Sequence, residues 1–389
     1  TLRWFAGSDD RSNLTFDVYL DTNSNPATLV ADDITTLSYT PSNPSYGTNY
    51  WKVIATDPSG NTTSSVMNFI YIFDLPSTII VDANGNGHFT KIQDAIDASS
   101  AGDKIRIWAG NYTENVDVYK RLEVIGNYTN GQHMTTINGS WQGNVLNVSA
   151  EYVVLEKLRV IFSQNNTADV AYAGIYVEKD WCEIWNVLVE YTNEGVSFYG
   201  RNHIIEDSIL INNDIGLYLH SSTYLTVGNN TIESNSARGI TAVGADYSEF
   251  YYNTIINNEG SGIAHDRGIN NIYVGNNISD NGDHGIDLAG TGSGQVNGRN
   301  NLFRNNIIND NDGSGIYIHN GLLDMSNTLV IGNGDANTDE GGGIFISNSS
   351  HPTLENLLIT NNNATNGGAV YIANYSYPQL NNIEIRDNQ

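Results

Sequence analysis

Three segments decide the fold: Asn235-Ser236-Ala237-Arg238-Gly239-Ile240, Asn258-Glu259-Gly260-Ser261-Gly262-Ile263 and Asn281-Gly282-Asp283-His284-Gly285-Ile286. Gly216, Gly239, Gly262 and Gly285 recur every 23 residues, each followed by an aliphatic residue, and Asn212, Asn235, Asn258 and Asn281 precede them by four. A second series, Asn230, Asn253 and Asn276, keeps the same period. The glycine pattern extends less regularly back to Gly174 and Gly195 and forward to Gly315 and Gly343, with Ala369 in the glycine place. Around these markers apolar residues alternate with period two, as in Ile175/Val177, Leu217/Leu219, Ile316/Ile318 and Ile344/Ile346, so each unit holds strands with one face in a core. A unit this short cannot be a propeller blade, and it lacks the helices of ankyrin or tetratricopeptide arrays. What remains is one turn of a parallel β-helix, its coils about 4.8 Å apart with like residues above like. Stacked asparagines share amide hydrogen bonds along the axis, and glycine is expected to supply positive-φ corners.

Outward from the repeat, residues 78–389 read as a right-handed parallel β-helix and 1–73 as a β-sandwich, with 74–77 as linker. The sandwich rests on alternating runs at Leu14–Leu20, Leu37–Thr40, Tyr50–Ala55 and Val66–Ile72, separated by turn clusters. Thr78–Asp82 reads as the first strand of the helical domain. Thr90 and Gln93 then have capping-box spacing for a short helix that plugs the core. The strand pattern is still running at Asn381-Asn382-Ile383-Glu384-Ile385, so another segment or subunit is expected to cover that edge.

Thr15-Phe16-Asp17-Val18-Tyr19-Leu20 and Tyr50-Trp51-Lys52-Val53-Ile54-Ala55-Thr56-Asp57 resemble a fibronectin type III module, which implies a spacer. Val81 to Ile96 and Asp103 to Glu114 resemble the opening of pectin-lyase-like right-handed β-helix proteins. The Asn/Gly coils resemble NosD-type surface repeats, and residues 341–374 resemble repeats of polymorphic outer-membrane proteins. These resemblances imply a fold shared by polysaccharide lyases, galacturonases, pectinesterases and surface proteins.

Composition narrows the classes. Seventeen Lys and Arg against 43 Asp and Glu give a net charge of −26, which repels phosphate backbones, so nucleic acid is excluded as a partner. No apolar run is long enough to span a bilayer. A single cysteine, Cys182, forms no internal disulfide and is expected to be a buried small apolar residue. Asn-x-Ser/Thr triplets at Asn13, Asn61, Asn111, Asn127, Asn138, Asn147, Asn165, Asn229, Asn277, Asn348, Asn363 and Asn374 fit an extracellular or cell-surface glycoprotein.

No complete catalytic set of the pectin-lyase-like enzymes is present. Asn337-Thr338-Asp339 matches the first galacturonase element, but no Asp-Asp or Gly-His-Gly follows it. The main expectation is therefore a structural or adhesion protein that contacts glycans or other copies of itself. The alternative is a secreted lyase or glycoside hydrolase, whose candidate catalytic residues are Asp266, Arg267 and Asp287, with His265 facing the core. Phasing puts Tyr176, Ser197, Tyr218, Thr241, Ala264, Asp287, Tyr317, Phe345 and Tyr371 in one outward file of a strand column. Tyr176, Glu178, Tyr199, Tyr218 and His220 are the glycan-contact candidates, their ring faces offered to sugars. Asp335, Asn337, Asp339 and Glu340 offer oxygen ligands at alternating positions for Ca2+, the one cofactor expected. Asp82-Ala83-Asn84-Gly85-Asn86-Gly87 matches half of an EF-hand loop but has Gln93 at position twelve, so it reads as a turn.

Overall fold

The computed structural model describes residues 2–4, 14–41, 47–57, 60–63, 66–71, 77–163, 172–289, 297–335 and 340–389. The chain divides into two compact units, Thr1–Leu75 and Pro76–Gln389.

In the first unit, Gly47–Asp57 is the central antiparallel strand. It pairs with Thr15–Asp21 along one edge and with Gly60–Thr63 and Met67–Tyr71 along the other, while Leu29–Ile34 extends the sheet beyond Thr15–Asp21. A two-stranded pair, Leu2–Arg3 with Ser38–Tyr39, completes the described strands. Alternation put Phe16, Val18, Leu20, Trp51 and Val53 on one buried face, where Trp4 packs edge-on to Phe16 at 5.6 Å. Three strands escaped the sequence reading, the two-residue Leu2–Arg3 among them. Leu29–Ile34 carries Asp32 and Asp33 instead of an apolar alternation, and Gly60–Thr63 begins in what read as a turn.

The second unit is an all-β solenoid. Three parallel sheets of 13, 12 and 11 strands run its length, and the chain visits first, second and third sheet in turn before stepping to the next coil. Each sheet sends one file inward. The first sheet contributes Ile105, Val124, Leu155, Ile184, Ile205, Val227, Phe250, Tyr273, Phe303, Met325 and Leu354 in consecutive register, all buried. Within it Phe250, Tyr273 and Phe303 stack at 4.5 and 4.4 Å with nearly parallel rings.

Asparagine ladders line the corners. Asn213, Asn235, Asn258, Asn281, Asn311, Asn333 and Asn362 form one: each donates its backbone N–H to the next amide oxygen. Asn230, Asn253, Asn276 and Asn306 form another. Asn213, not Asn212, belongs to the ladder, because this coil step is one residue shorter and turns Asn212 into the left-handed corner at φ 56°.

The glycine file has a different cause from the one expected. Gly216, Gly239, Gly262 and Gly285 do not have positive φ. A Cβ on Gly262 would instead lie 2.8 Å from the Gly285 carbonyl oxygen and 2.7 Å from Ile278 Cγ2, so close coil approach demands the missing side chain. The left-handed corners fall mostly to asparagine, aspartate and aromatic residues such as Asn186, Asp207, Tyr224 and Asn257.

The plug helix spans Ile92–Ala98 and buries Ile92, Ala95 and Ile96. No capping box forms, since Lys91 is the N-cap residue and makes no side-chain cap bond. Glu114, just after the Gly110–Thr113 strand, accepts the N–H groups of Ile92 and Gln93 at 2.8 and 3.1 Å, and Lys120 donates to the carbonyls of Ile96, Asp97 and Ser99, each at 2.9 Å. Asp82 folds its own loop by accepting the N–H groups of Asn84 and Asn86, which holds its carboxyl below the usual range.

Candidate functional site

The outer face of the third sheet gathers the aromatic and acidic side chains. Its register aligns Tyr176, Ser197, Tyr218, Thr241, Ala264, Asp287, Tyr317, Phe345 and Tyr371 as one file, with Tyr199, His220, Val243 and Asp266 beside it. Two clusters stand on this face.

The first holds Tyr176, Tyr199, Tyr218 and His220. Tyr199 and Tyr218 stack on His220 at 4.1 and 3.8 Å, and Tyr176 tilts against Tyr199 at 5.3 Å. The rings thus cover one another's faces and present edges and hydroxyls outward, unlike the open platforms expected. Burial pushes the His220 imidazole down to about 4 and the Tyr199 phenol up to about 12, so both are neutral near pH 7. Glu178 lies beside the cluster and pairs with Lys179 at 3.7 Å.

The second cluster lines a groove of about 560 Å³ where the second sheet turns into the third. Asp283, His284, Asp312, Tyr317, Glu340 and Phe345 form most of its wall. His284 stacks on Tyr317 at 4.7 Å, Tyr317 on Phe345 at 4.8 Å and Phe345 on Tyr371 at 5.7 Å. His284 Nδ1 accepts the Ser314 N–H at 3.0 Å, which leaves the proton of the neutral ring on Nε2, 3.7 Å from Asp283 Oδ1. Asp287 is the register neighbour of Tyr317. Burial first, then the Asp287 and Glu340 carboxylates, raise the Tyr317 pKa and keep its hydroxyl protonated. The Tyr371 hydroxyl donates to Glu340. Ring donors and carboxylate acceptors therefore converge on one open groove, the arrangement that general acid–base work on a hydroxyl or glycosidic oxygen requires. No lysine or arginine lines it among the described residues.

Other expected residues are dispersed. Asp266 pairs with Arg267 at 3.1 Å, and Arg267 turns off the strand at φ 62°, so neither joins Tyr317 and its neighbours. His265 faces inward, where its Nδ1 meets the buried Tyr273 hydroxyl at 2.8 Å, and burial lowers its pKa to about 4. Asp335 and Glu340 line the groove, whereas Asn337 and Asp339 lie outside the described residues. Asn13 and Asn165 also lie outside them; Asn111, Asn229 and Asn374 are exposed, and Asn127, Asn138, Asn147, Asn277, Asn348 and Asn363 are half-buried. Asn61 sits in the Gly60–Thr63 strand. Cys182 is buried, its thiol pushed up to about 11 by desolvation. Phasing had already listed Tyr317, Phe345 and Tyr371; missing from it was the meeting of Asp283, Asp312 and Glu340 around them.

The chain matches the family described as right handed beta helix region over residues 173–333 and 270–356. The second unit folds as a right-handed parallel β-helix. The A-module of Azotobacter vinelandii mannuronan C-5 epimerase AlgE6 is similar in structure at 15% identity and TM-score 0.57, covering 77% of this chain and 95% of that one. The AlgE4 A-module of the same organism gives 15%, 0.57, 76% and 91%. The Dettilon tailspike protein gp208 gives 16%, 0.52, 76% and 68%. No curated protein sequence matches the chain. Among the described residues no helix is long and apolar enough to cross a membrane.

Proposed function

We propose that this β-helix is an extracellular polysaccharide-active enzyme whose reacting site is the groove around Tyr317, and that the reaction is cleavage of a glycosidic bond by paired acid and base groups. The observation that carries this reading is the convergence of Asp283, Asp312, Glu340, His284 and Tyr317 on one 560 Å³ groove. Asp287, adjacent to Tyr317 in register, is the candidate nucleophile or base, and the protonated Tyr317 hydroxyl and His284 Nε2–H are candidate donors to the leaving oxygen. Uronate elimination requires a positive partner for the sugar carboxylate, and with no Lys or Arg among the described lining residues that partner would be a cation such as the calcium proposed below. The ring cluster at Tyr176, Tyr199, Tyr218 and His220, with Glu178, would extend sugar contact along the same face through its hydroxyl and ring edges. Calcium at Asp335 and Glu340 would sit on the groove wall, and the N-terminal unit would act as a fibronectin III-like spacer.

The test is a screen of purified protein on neutral and uronate polysaccharides, following reducing ends and unsaturated products with calcium or EDTA. New reducing ends, lowered at least about 100-fold in Asp287→Asn or Glu340→Gln, are expected. Unsaturated products would move the assignment to lyase chemistry. Binding without turnover would return the protein to the adhesion class.

A further inference from the structure

From Trp141 to Asp280 the corner between the second and third sheets carries a left-handed residue on every coil, with Ser140 (φ 52°) beside Trp141 on the first. In order these are Trp141 (φ 62°), Phe162 (61°), Tyr191 (56°), Asn212 (56°), Ser234 (56°), Asn257 (55°) and Asp280 (55°). Backbone bonds tie neighbouring rungs, with Trp141 N–H donating to Phe162 O and Tyr191 N–H to Asn212 O. Asparagine and aspartate adopt this conformation at low cost because a short polar side chain bonds locally, whereas a bulky ring gains nothing from it. Aromatic residues hold this conformation at other corners too, among them Tyr152, Trp181, Tyr224 and Tyr247, so what distinguishes the present column needs a reason beyond the corner itself. Core packing does not provide it, since Trp141 is 50% and Tyr191 43% exposed.

The three rings form a column, Trp141 to Phe162 at 5.0 Å and Phe162 to Tyr191 at 5.7 Å. The column stops being aromatic at Asn212, and there a groove of about 400 Å³ opens, lined by Tyr191, Asn193, Asn212, Asp214, Ser234 and Ser236 among others. Within it Asn193 Oδ1 is shut off from water and has no hydrogen-bond partner among the described residues. A buried carbonyl oxygen without a donor is costly, and a donor from the groove, an ordered water or a ligand hydroxyl, relieves it. A hydroxyl can do so and a carboxylate cannot. The single carboxylate, Asp214, already accepts the Ser236 hydroxyl at 3.1 Å, and no lysine or arginine lines the groove among the described residues. The walls are otherwise amides and hydroxyls beside an exposed ring, the composition that grips a sugar by its apolar face and its hydroxyls together.

We infer that this groove is a second saccharide site, taking an uncharged hexose unit whose ring stacks beyond Tyr191 as the next rung of the aromatic column and whose hydroxyl donates to Asn193 Oδ1. The site lies four coils from Asp280, roughly 19 Å along the same corner as the Tyr317 groove. A polysaccharide lying along this corner reaches both grooves, yet binding here stands whether or not the Tyr317 groove reacts.

Calorimetric titration of the full chain with cellohexaose, mannohexaose and hexagalacturonate tests this. At least one neutral hexamer binds and hexagalacturonate binds more weakly. The double substitution Trp141→Asn with Tyr191→Asn weakens the neutral hexamer at least about tenfold, while its melting temperature holds or rises, because asparagine suits the left-handed corner. A neutral disaccharide, too short to span the roughly 19 Å between the grooves, shows the same loss in the double variant, which separates the site from the reacting groove. Failure of both neutral hexamers to bind, equal binding by the double variant, or preference for hexagalacturonate overturns the inference. So does a fall in melting temperature with affinity intact, which would make the aromatics structural braces.

Discussion

Asn253 shows how much one side chain does in this solenoid. Its Nδ2 donates to Val227 O at 2.9 Å and Asn276 Oδ1 at 3.0 Å, and its Oδ1 accepts from both the backbone N–H and the Nδ2 of Asn230. Every hydrogen-bonding position of the amide is used, in a residue 1% exposed. Asn253→Leu should cost about 3 kcal/mol, because the partners left behind stay buried and unsatisfied; the midpoint of urea unfolding measures it. At Gly262 the added methyl meets a backbone oxygen and two side chains of the neighbouring coil, so Gly262→Ala should cost about 2 kcal/mol by the same measurement. His265 brings a pH dependence. Its folded pKa of about 4 lies below the ordinary 6.5, so the unfolded chain binds the proton more readily. The stability from keeping this ring neutral is complete above pH 6.5 and is lost as pH falls from 6.5 toward 4, by about 3 kcal/mol. The advantage of the native protein over His265→Gln should shrink across that interval. A constant difference would show that the Tyr273 bond, not proton exclusion, sets the role of His265. The inward phase of His265 was legible in the alternation, while its partner Tyr273 was not, since the contact joins a third-sheet residue to a first-sheet one.

At the scale of elements, the plug helix is held by residues outside it. Glu114 closes its N-terminus with both carboxylate oxygens and Lys120 closes its C-terminus with three bonds to carbonyls. A seven-residue helix has little intrinsic stability, so these contacts and three buried apolar residues hold it. Glu114→Ala and Lys120→Met should each destabilise the unit by about 1–2 kcal/mol. Amide exchange in 92–98 should speed up first, ahead of the central coils. Sequence indicated a helix here through Thr90 and Gln93 but assigned the cap wrongly, because local spacing cannot display a carboxylate that arrives from more than twenty residues downstream. Gly228 makes the same point in a strand. The Tyr251 ring occupies the space above it, 2.4 Å from where a Cβ would lie, and reaches across to hydrogen-bond Glu206 two coils away.

For the whole molecule, a charge of −26 opposes compactness through self-repulsion. Raising salt from about 0.01 M to about 0.5 M cuts the Debye length from about 30 Å to less than 10 Å. The unfolding midpoint should therefore rise, and an unchanged or falling midpoint would show that ion pairs such as Arg159 with Glu190 outweigh the repulsion. The sequence by itself determined the solenoid, because a 23-residue period with alternating apolar residues leaves a parallel β-helix as the way to bury every strand, and the period also placed the outward file of the third sheet. Coil-length changes at Asn212 and Asn213, the ring faces hidden by mutual stacking, and the grooves at Tyr317 and Tyr191 were decided only by the tertiary structure. The physical reason is stacking. Alternation says which way a side chain points within its own strand, but its neighbours above and below belong to coils 19 to 31 residues away, and inserted residues shift which ones meet.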